Sequence, residues 1–144
     1  MNPYTLVTYP NDVLSTKTSD VKIFDERLRA LVFDMKDIMI QHQGVGLAAN
    51  QIGVSERVAI VESDTMINPV IMFKGKAVHC MEEGCLSLPG KRYLVLRPVS
   101  VTVRYQGVDG KSRIETAHGL RARIIQHEID HLNGTCICDK GVEI

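Results

Sequence analysis

Residues 120–133 have the sequence LRARIIQHEIDHLN, and Gly134 follows them. Their apolar residues recur at the three- and four-residue spacing of a helix, and glycine is common just after a helix's last turn. Because Ile125, Ile129 and Leu132 widen the apolar face, we expect this helix to be buried at the centre of the molecule.

Two histidines of this helix, His127 and His131, are four residues apart. Residues at that spacing project from the same side of a helix, so both imidazoles can bind one divalent cation. Glu128 lies next to the first ligand, where its carboxylate can reach a water molecule on that cation. Asp130 is either an acceptor that orients a ligating histidine or a surface carboxylate. The two-histidine spacing also arises by chance on solvent-exposed helices. A further candidate ligand is therefore needed to support the prediction of a metal site.

A metal site that keeps one position for water needs a third protein ligand. The segment 82–89, EEGCLSLP, is predicted to be a polar loop, and Gly84 lets its backbone approach another group closely. Cys85 in this loop is the most specific candidate for the third ligand. The alternative is a buried structural thiol, the usual fate of a free cysteine.

A third segment, 44–53, has the sequence GVGLAANQIG. Its spaced glycines and small residues permit close contact with a ligand. It lacks the Gly-Lys-Ser/Thr ending of a phosphate loop, and no predicted strand precedes it as in a dinucleotide-binding fingerprint. Gln51 is either an amide that donates to an oxyanion or a core amide that satisfies backbone groups.

The rest of the chain predicts one more helix and several strands. The helix covers about 25–41, with Asp25 as its N-cap and a single apolar stripe. The predicted strands cover 57–61, 69–73, 76–81, 94–98, 99–105 and 112–117, with a hairpin turn at 107–110. Cys136 and Cys138 are predicted to lie on alternate faces of a strand. This order predicts an α+β fold with mostly antiparallel β-sheets packed around a central metal-binding α-helix.

Composition narrows the class of protein. The chain has 144 residues, 17 Lys and Arg against 17 Asp and Glu, and 44% hydrophobic residues. We expect a single domain over 1–144, and zero net charge argues against a nucleic-acid partner. With no apolar run of about 18 residues and no signal peptide, we expect a soluble cytoplasmic monomer without a membrane partner.

Taken together, the three segments resemble the peptide deformylase family. That family has a Gly-x-Gly-Leu-Ala-Ala-x-Gln segment, a Glu-Gly-Cys-Leu-Ser segment and a His-Glu-x-x-His helix, which stand here in that order at 44–51, 83–87 and 127–131. The resemblance runs from about 9 to 139. It implies a metal-dependent hydrolase that removes the formyl group from the N-terminal formyl-methionine of nascent proteins.

The resemblance also implies a metal centre and a general base. Cys85, His127 and His131 would hold the metal, with water as the fourth ligand. Glu128 would be the general base toward that water and would then donate the proton to the leaving amine. The native metal implied is Fe²⁺, with Zn²⁺, Ni²⁺ or Co²⁺ able to substitute, whereas ligand identity alone would suggest zinc. An Fe²⁺–thiolate site should be sensitive to oxygen.

Other residues match the oxyanion and substrate sites of the family. The side-chain amide of Gln51 and the backbone N–H of Leu86 would hold the oxyanion, and Gly46 would offer backbone hydrogen bonds to the peptide. Further matching positions shape the methionine pocket or its rim: Val45, Glu83, Arg92, Leu120 and Ile124. The partners implied are N-formyl-methionyl peptides and, by proximity, the ribosome.

The chain departs from the family's longer members in two places. It stops ten residues after Gly134, without their C-terminal helix, as a compact phage-type form would, so we do not expect ribosome docking through such a helix. Arg121 and Arg123 stand where an apolar stretch is common. Arg123 either lines the pocket entrance or is a solvated cation whose stem lies on the surface.

Three other functions compete with this interpretation. The first is a metallopeptidase-like amidase that uses the same helix motif on another amide. The second makes Cys85 a nucleophile with His127 as its base. The third is a non-catalytic structural zinc module, in which Cys80 or Cys138 supplies a fourth ligand.

Overall fold

A computed structural model of the chain describes residues 2–144. Its helices are α1 Glu26–Gln41, α2 Gly119–Leu132 and the short α3 Ile137–Lys140. Its strands are β1 Gly46–Ala48, β2 Val58–Val61, β3 Asp64–Lys74, β4 Val78–Gly84, β5 Arg92–Pro98, β6 Ser100–Gln106, β7 Ser112–His118 and β8 Val142–Glu143. Two 3₁₀ turns cover Asp12–Ser15 and Ala49–Ile52. No helix in the described part of the chain is long and apolar enough to cross a membrane.

The strands form two antiparallel sheets with α2 between them. One sheet has five strands in the order β1-β2-β3-β6-β7, and the other has three in the order β4-β5-β8. Helix α2 packs against β1, β2 and β7 of the first sheet and against β5 of the second. The predicted α+β fold, with mostly antiparallel sheets around a central helix, is confirmed.

The C-terminal end of α2 is fixed by polar side chains that satisfy its last carbonyl groups. The hydroxyl of Thr18 donates to the carbonyl of Leu132 at 2.9 Å, and Arg57 donates to the same carbonyl at 3.2 Å. Asn50 donates from its amide to the carbonyl of His131. Because the last carbonyls of a helix have no partner within it, these bonds hold the motif-bearing turn in place.

Two predictions of local structure are wrong. Glu82 and Glu83 lie on β4 rather than in a loop, since β4 pairs with β5 as far as Gly84. A pair of glutamates before a glycine is typical of a loop. The local sequence does not show that arginines from elsewhere in the chain neutralise the charge of the buried glutamate. Cys136 caps α3 and Cys138 lies within that helix, so neither belongs to a strand.

Candidate active site

The three predicted metal ligands meet at the centre of the molecule. Cys85, His127 and His131 each place one donor atom so that all three atoms lie within 4.8 Å of one another. Cys85 Sγ lies 3.2 Å from His131 Nε2, and the side chain of His131 is fully buried. Burial lowers the pKa of the His131 imidazole, which favours the neutral form that binds metals.

Glu83 orients the first histidine. Its Oε1 lies 2.8 Å from His127 Nδ1, which leaves Nε2 of that ring for the donor group. Both carboxylate oxygens also accept from Arg97, at 2.6 and 3.0 Å. A carboxylate that bonds the outer nitrogen of a ligating histidine fixes the tautomer and the ring orientation. Asp130 does not take this role, because its carboxylate pairs with Arg97 and Lys140.

Arg123 is buried and lines the cavity of the site, so the alternative of a solvated surface cation is wrong. Its guanidinium donates to Glu83 at 2.5 Å, to the carbonyl of Val95 at 3.0 Å and to the carbonyl of His79 at 2.7 Å. Strands β4 and β5 therefore supply acceptors that replace water around this cation. Its spacing on α2 predicted a position near the pocket, but no pattern in the sequence indicated these strand carbonyls.

The buried ion pairs set the charge of Glu83. Burial raises the pKa of this carboxyl, but hydrogen bonds from His127 and Arg97 outweigh burial and lower the pKa to about 2. The carboxylate is therefore ionised across the physiological range. Because its folded-state pKa lies below the unfolded value, it stabilises the protein above about pH 4.5, and that stabilisation is lost as the pH falls toward 2.

Replacing Glu83 with glutamine is therefore expected to destabilise the protein by about 3–5 kcal/mol at pH 7, since buried Arg123 loses the carboxylate that faces it and buried Arg97 keeps only Asp130. Urea unfolding of the metal-free protein between pH 3 and pH 7 measures the change. The matched control is Glu82→Gln, which removes the neighbouring, half-exposed carboxylate that pairs with Arg92. Equal stability of the two variants would contradict the role given to Glu83.

Glu128 is the general-base candidate, and its carboxylate is buried beside the donor group. Burial raises the pKa of this carboxyl to about 7, near the pH at which a group can both accept and return a proton. Its Oε1 is buried, and no donor in residues 2–144 reaches it. A buried carboxylate oxygen without a protein partner fits a water molecule held at the three donor atoms.

Gly46 makes room for this carboxylate. A Cβ atom at that position would lie 2.5 Å from Glu128 Oε2 and 2.9 Å from a methyl group of Ile124. Both distances are shorter than any ordinary contact, so an added methyl group would displace the Glu128 carboxylate or the helix that carries it.

Gly46→Ala is accordingly expected to cost about 1–3 kcal/mol of stability and about 100-fold in kcat/KM. Urea unfolding and an activity assay measure the two effects. In a Glu128→Ala background, the stability cost of the same glycine change should shrink, because the clashing carboxylate is absent. An equal cost in both backgrounds would show that the carboxylate is not what the glycine accommodates.

Gln51 has the orientation required of an oxyanion donor. Its Oε1 accepts from the backbone N–H of Ala48 at 2.9 Å, which fixes the amide so that Nε2 points to the donor group. Nε2 lies 3.6 Å from Cys85 Sγ and 3.2 Å from the hydroxyl of Ser87. The turn after Cys85 is closed by the N–H of Leu88, which leaves the N–H of Leu86 outside that bond.

Most of the predicted site residues line one cavity of about 760 Å³. The predicted residues that line it are Val45, Gly46, Gln51, Glu83, Cys85, Leu86, Arg92, Leu120, Ile124, His127 and Glu128. His131 lies below them. Sequence reasoning missed Leu6, His42 and Met81, which also line the cavity. These residues belong to no motif, and only the fold brings them to the site.

Comparison with known proteins agrees with this geometry. The model of the polypeptide deformylase family matches residues 3–143. The chain belongs to the polypeptide deformylase family. It is therefore an enzyme, a metal-dependent hydrolase that removes the formyl group from the N-terminal formyl-methionine of nascent proteins. The competing metallopeptidase, thiol-nucleophile and structural-zinc interpretations are thereby wrong. Consistent with this, neither Cys80 nor Cys138 joins the donor group within residues 2–144.

Two curated relatives illustrate the similarity of this deformylase to known sequences. The peptide deformylase of Natranaerobius thermophilus is 42% identical over 142 residues, which cover 95% of this chain and 91% of the relative. That of Prochlorococcus marinus strain NATL1A is 39% identical over 139 residues, which cover 90% of this chain and 69% of the relative.

Two solved structures share the fold of this deformylase. The Plasmodium falciparum peptide deformylase, in complex with an inhibitor, has a TM-score of 0.93 and 38% identity, over 95% of this chain and 88% of that one. The Synechococcus elongatus enzyme, in complex with actinonin, has a TM-score of 0.95 and 34% identity, over 98% and 80%.

Proposed function

We propose that Cys85, His127 and His131 hold the divalent metal of this deformylase and that Glu128 is its general base. The observation that carries the proposal is the meeting of three donor atoms within 4.8 Å, beside a buried carboxylate oxygen that has no partner in residues 2–144. One thiolate and two imidazoles suit a first-row transition metal and do not suit Mg²⁺ or Ca²⁺. The residues present therefore fit the metal that the family requires.

The metal proposed is Fe²⁺, with Zn²⁺, Ni²⁺ or Co²⁺ able to substitute. When bound, such an ion lowers the pKa of a water ligand from about 16 to about 7 and polarises a carbonyl group. The thiolate of Cys85 donates charge to the ion and makes the site softer than one with two histidines and a glutamate. The choice of Fe²⁺ comes from the family resemblance, since ligand identity alone would suggest zinc.

The chain's own groups then move the proton and hold the developing charge. Glu128 accepts the proton from water as the water oxygen adds to the formyl carbon. The amide of Gln51 and the N–H of Leu86 donate to the oxyanion, and one such preorganised donor contributes roughly 3–4 kcal/mol. Glu128 then returns the proton to the amine nitrogen as the carbon–nitrogen bond breaks. The products are formate and a peptide with a free amino terminus.

The substrate is proposed to lie in the cavity with its backbone on β1. This strand is at the edge of its sheet, and Gly46 brings backbone groups to the side of Glu128. The methionine side chain would contact Val45, Leu120 and Ile124, which line the cavity with Arg92 at its rim. Glu83 contributes through His127, since both of its oxygens already accept from the chain.

The remaining proposals concern the setting of the enzyme. We propose that the enzyme is a monomer with a single catalytic domain over 1–144. Because the substrate is a nascent chain, we place the enzyme near the ribosome in the cytoplasm of a bacterial or phage-infected cell. No nucleic-acid partner is proposed, since the formal net charge is zero.

A comparison of formyl and acetyl substrates tests whether the site selects acyl groups by size. A formyl carbon carries only hydrogen, so a tight site can admit it and exclude bulkier acyl groups. We expect kcat/KM for a formyl-Met tripeptide to exceed that for the acetyl-Met tripeptide by at least about 100-fold, as for a well-shaped pocket. Equal rates would contradict this account of selectivity.

Reconstitution tests the identity of the metal. Metal-free protein, loaded without oxygen with Fe²⁺, Zn²⁺, Ni²⁺ or Co²⁺, is assayed for formate release before and after exposure to air. We expect the Fe²⁺ form to be highly active and to lose activity in air, whereas Zn²⁺ has no redox chemistry and its form should be unchanged. A Zn²⁺ form as active as an air-stable Fe²⁺ form would overturn the Fe²⁺ proposal.

A further inference from the structure

A second cavity, of about 770 Å³, opens next to the catalytic one. Leu6 and His42 line both cavities, so the two are neighbours. The second cavity lies along the outward side of α1, where Phe33, Asp34 and Asp37 line it. We call it the α1 groove.

The free edge of β1 leads from the catalytic carboxylate to the α1 groove. Beyond Gly46, the strand enters the core, where Leu47 and Ala48 are fully buried. In the other direction the chain returns to His42 along an exposed segment, and Val45 is 58% exposed. A peptide that lies along β1 with its formyl group at Glu128 can therefore extend its later residues only toward His42.

The length of this path says which part of the substrate reaches the groove. Gly46 and His42 are four residues apart, and the chain turns at His42 and Gln43, where Gln43 has a φ of 57°. The distance between them is therefore at most about 13 Å, the length of four extended residues at about 3.3 Å each. The formyl group and the first three residues of an extended formyl-peptide, four units in all, cover that distance. The fourth and later residues then lie in the α1 groove.

The charge of the groove selects for basic residues. Within residues 2–144, the carboxylate of Asp34 accepts no hydrogen bond, and that of Asp37 accepts only from neutral amides, those of Asn2 and Gln41. Among the described residues 2–144, neither lysine nor arginine lines this groove. Phe33, 73% exposed, offers an apolar surface for the methylene stem of a lysine or arginine.

We propose that the α1 groove binds the fourth and later residues of the formyl-peptide substrate and favours lysine and arginine there. The proposal rests on the proposed function, because it takes the position of the formyl group from Glu128. It assigns to this enzyme a preference for nascent chains with a basic segment shortly after the start.

Three formyl-Met peptides test the groove: a neutral tripeptide and two octapeptides with either lysine or glutamate at positions five to seven. For exposed ion pairs we expect kcat/KM to be about three- to fivefold higher for the lysine octapeptide than for the glutamate one. The ratio should fall toward one as salt is raised from about 50 mM to about 500 mM.

Variants connect the preference to the groove. Asp34→Asn, at a half-buried position whose carboxylate accepts no hydrogen bond from residues 2–144, should reduce the ratio, and adding Asp37→Asn should abolish it. The matched control is Glu26→Gln, which removes the same charge at the other end of α1. The control should keep the wild-type ratio, and every variant should keep the wild-type rate on the tripeptide.

Equal kcat/KM for the two octapeptides, or a ratio unchanged in the double variant, would overturn the proposal. Failure of the tripeptide to release formate would instead reject the proposed function. In that case the groove is still tested by fluorescence anisotropy with labelled, unformylated octapeptides. Tighter binding of the lysine peptide that is lost in the double variant supports the groove, and equal binding rejects it.

Discussion

Glu128→Gln is expected to lower kcat/KM on a formyl-Met tripeptide by about 10²- to 10⁴-fold, the range that a general acid–base group supplies. The amide keeps the shape of the side chain and cannot accept the proton of the attacking water. The metal content should be unchanged, because the three ligands are other residues. Kinetics together with metal analysis of the same sample measure both effects.

The same substitution should also affect stability, with a defined dependence on pH. In the metal-free protein, burial raises the pKa of the Glu128 carboxyl to about 7, so ionisation costs stability as the pH rises above about 4.5. Metal-free Glu128→Gln should therefore be more stable than metal-free wild type at pH 8, and the difference should disappear near pH 4.5. The control is Glu143→Gln, at an exposed position on β8. A variant with wild-type activity would remove Glu128 from the mechanism.

Cys85→Ser is the second change with a large expected effect. A serine hydroxyl is a harder and less acidic ligand than a thiol, and its substitution also removes the sulfur that faces Gln51 and His131. We expect metal affinity and kcat/KM to fall by at least about 100-fold, since even a change outside the ligand set costs 10- to 100-fold. Competition with a metallochromic dye measures the affinity.

Cys80→Ser is the matched control for the thiol. Cys80 is exposed on β4 and lies outside the donor group, so its replacement should leave both metal affinity and rate unchanged. Chelation is an independent test of metal dependence. A chelator should abolish the activity of the wild type, and addition of metal should restore it. Activity that survives complete removal of the metal would contradict the assignment of Cys85 as a ligand.

The sequence was sufficient for the parts of the site that depend on local spacing. The helical period places His127 and His131 on one side of α2, and the burial of that helix follows from its apolar residues. The capping of α1 by Asp25 was also predictable, and its carboxylate accepts from the N–H of Leu28 at 3.1 Å. Local rules fix such features without knowledge of the fold.

Features that depend on tertiary pairing were not predictable in the same way. The burial of Glu83 on β4 depends on Arg97 from the neighbouring strand and on Arg123 from α2. A single sequence does not show that these charges meet. The charged residues of a buried ion-pair cluster therefore look, in the sequence, like those of loops and surfaces. The α1 groove has the same origin, since it joins the N-terminal segment to α1 without any motif.

The most direct test of the account is the stoichiometry of formate release. Anaerobically prepared, metal-loaded enzyme is mixed with a formyl-Met tripeptide, and formate and free amino termini are counted in parallel for wild type and Glu128→Gln. We predict one formate and one new amino terminus per peptide with the wild type, and a rate at least about 100-fold lower with the variant. No formate from the metal-loaded wild type, or equal rates for the two proteins, would contradict it.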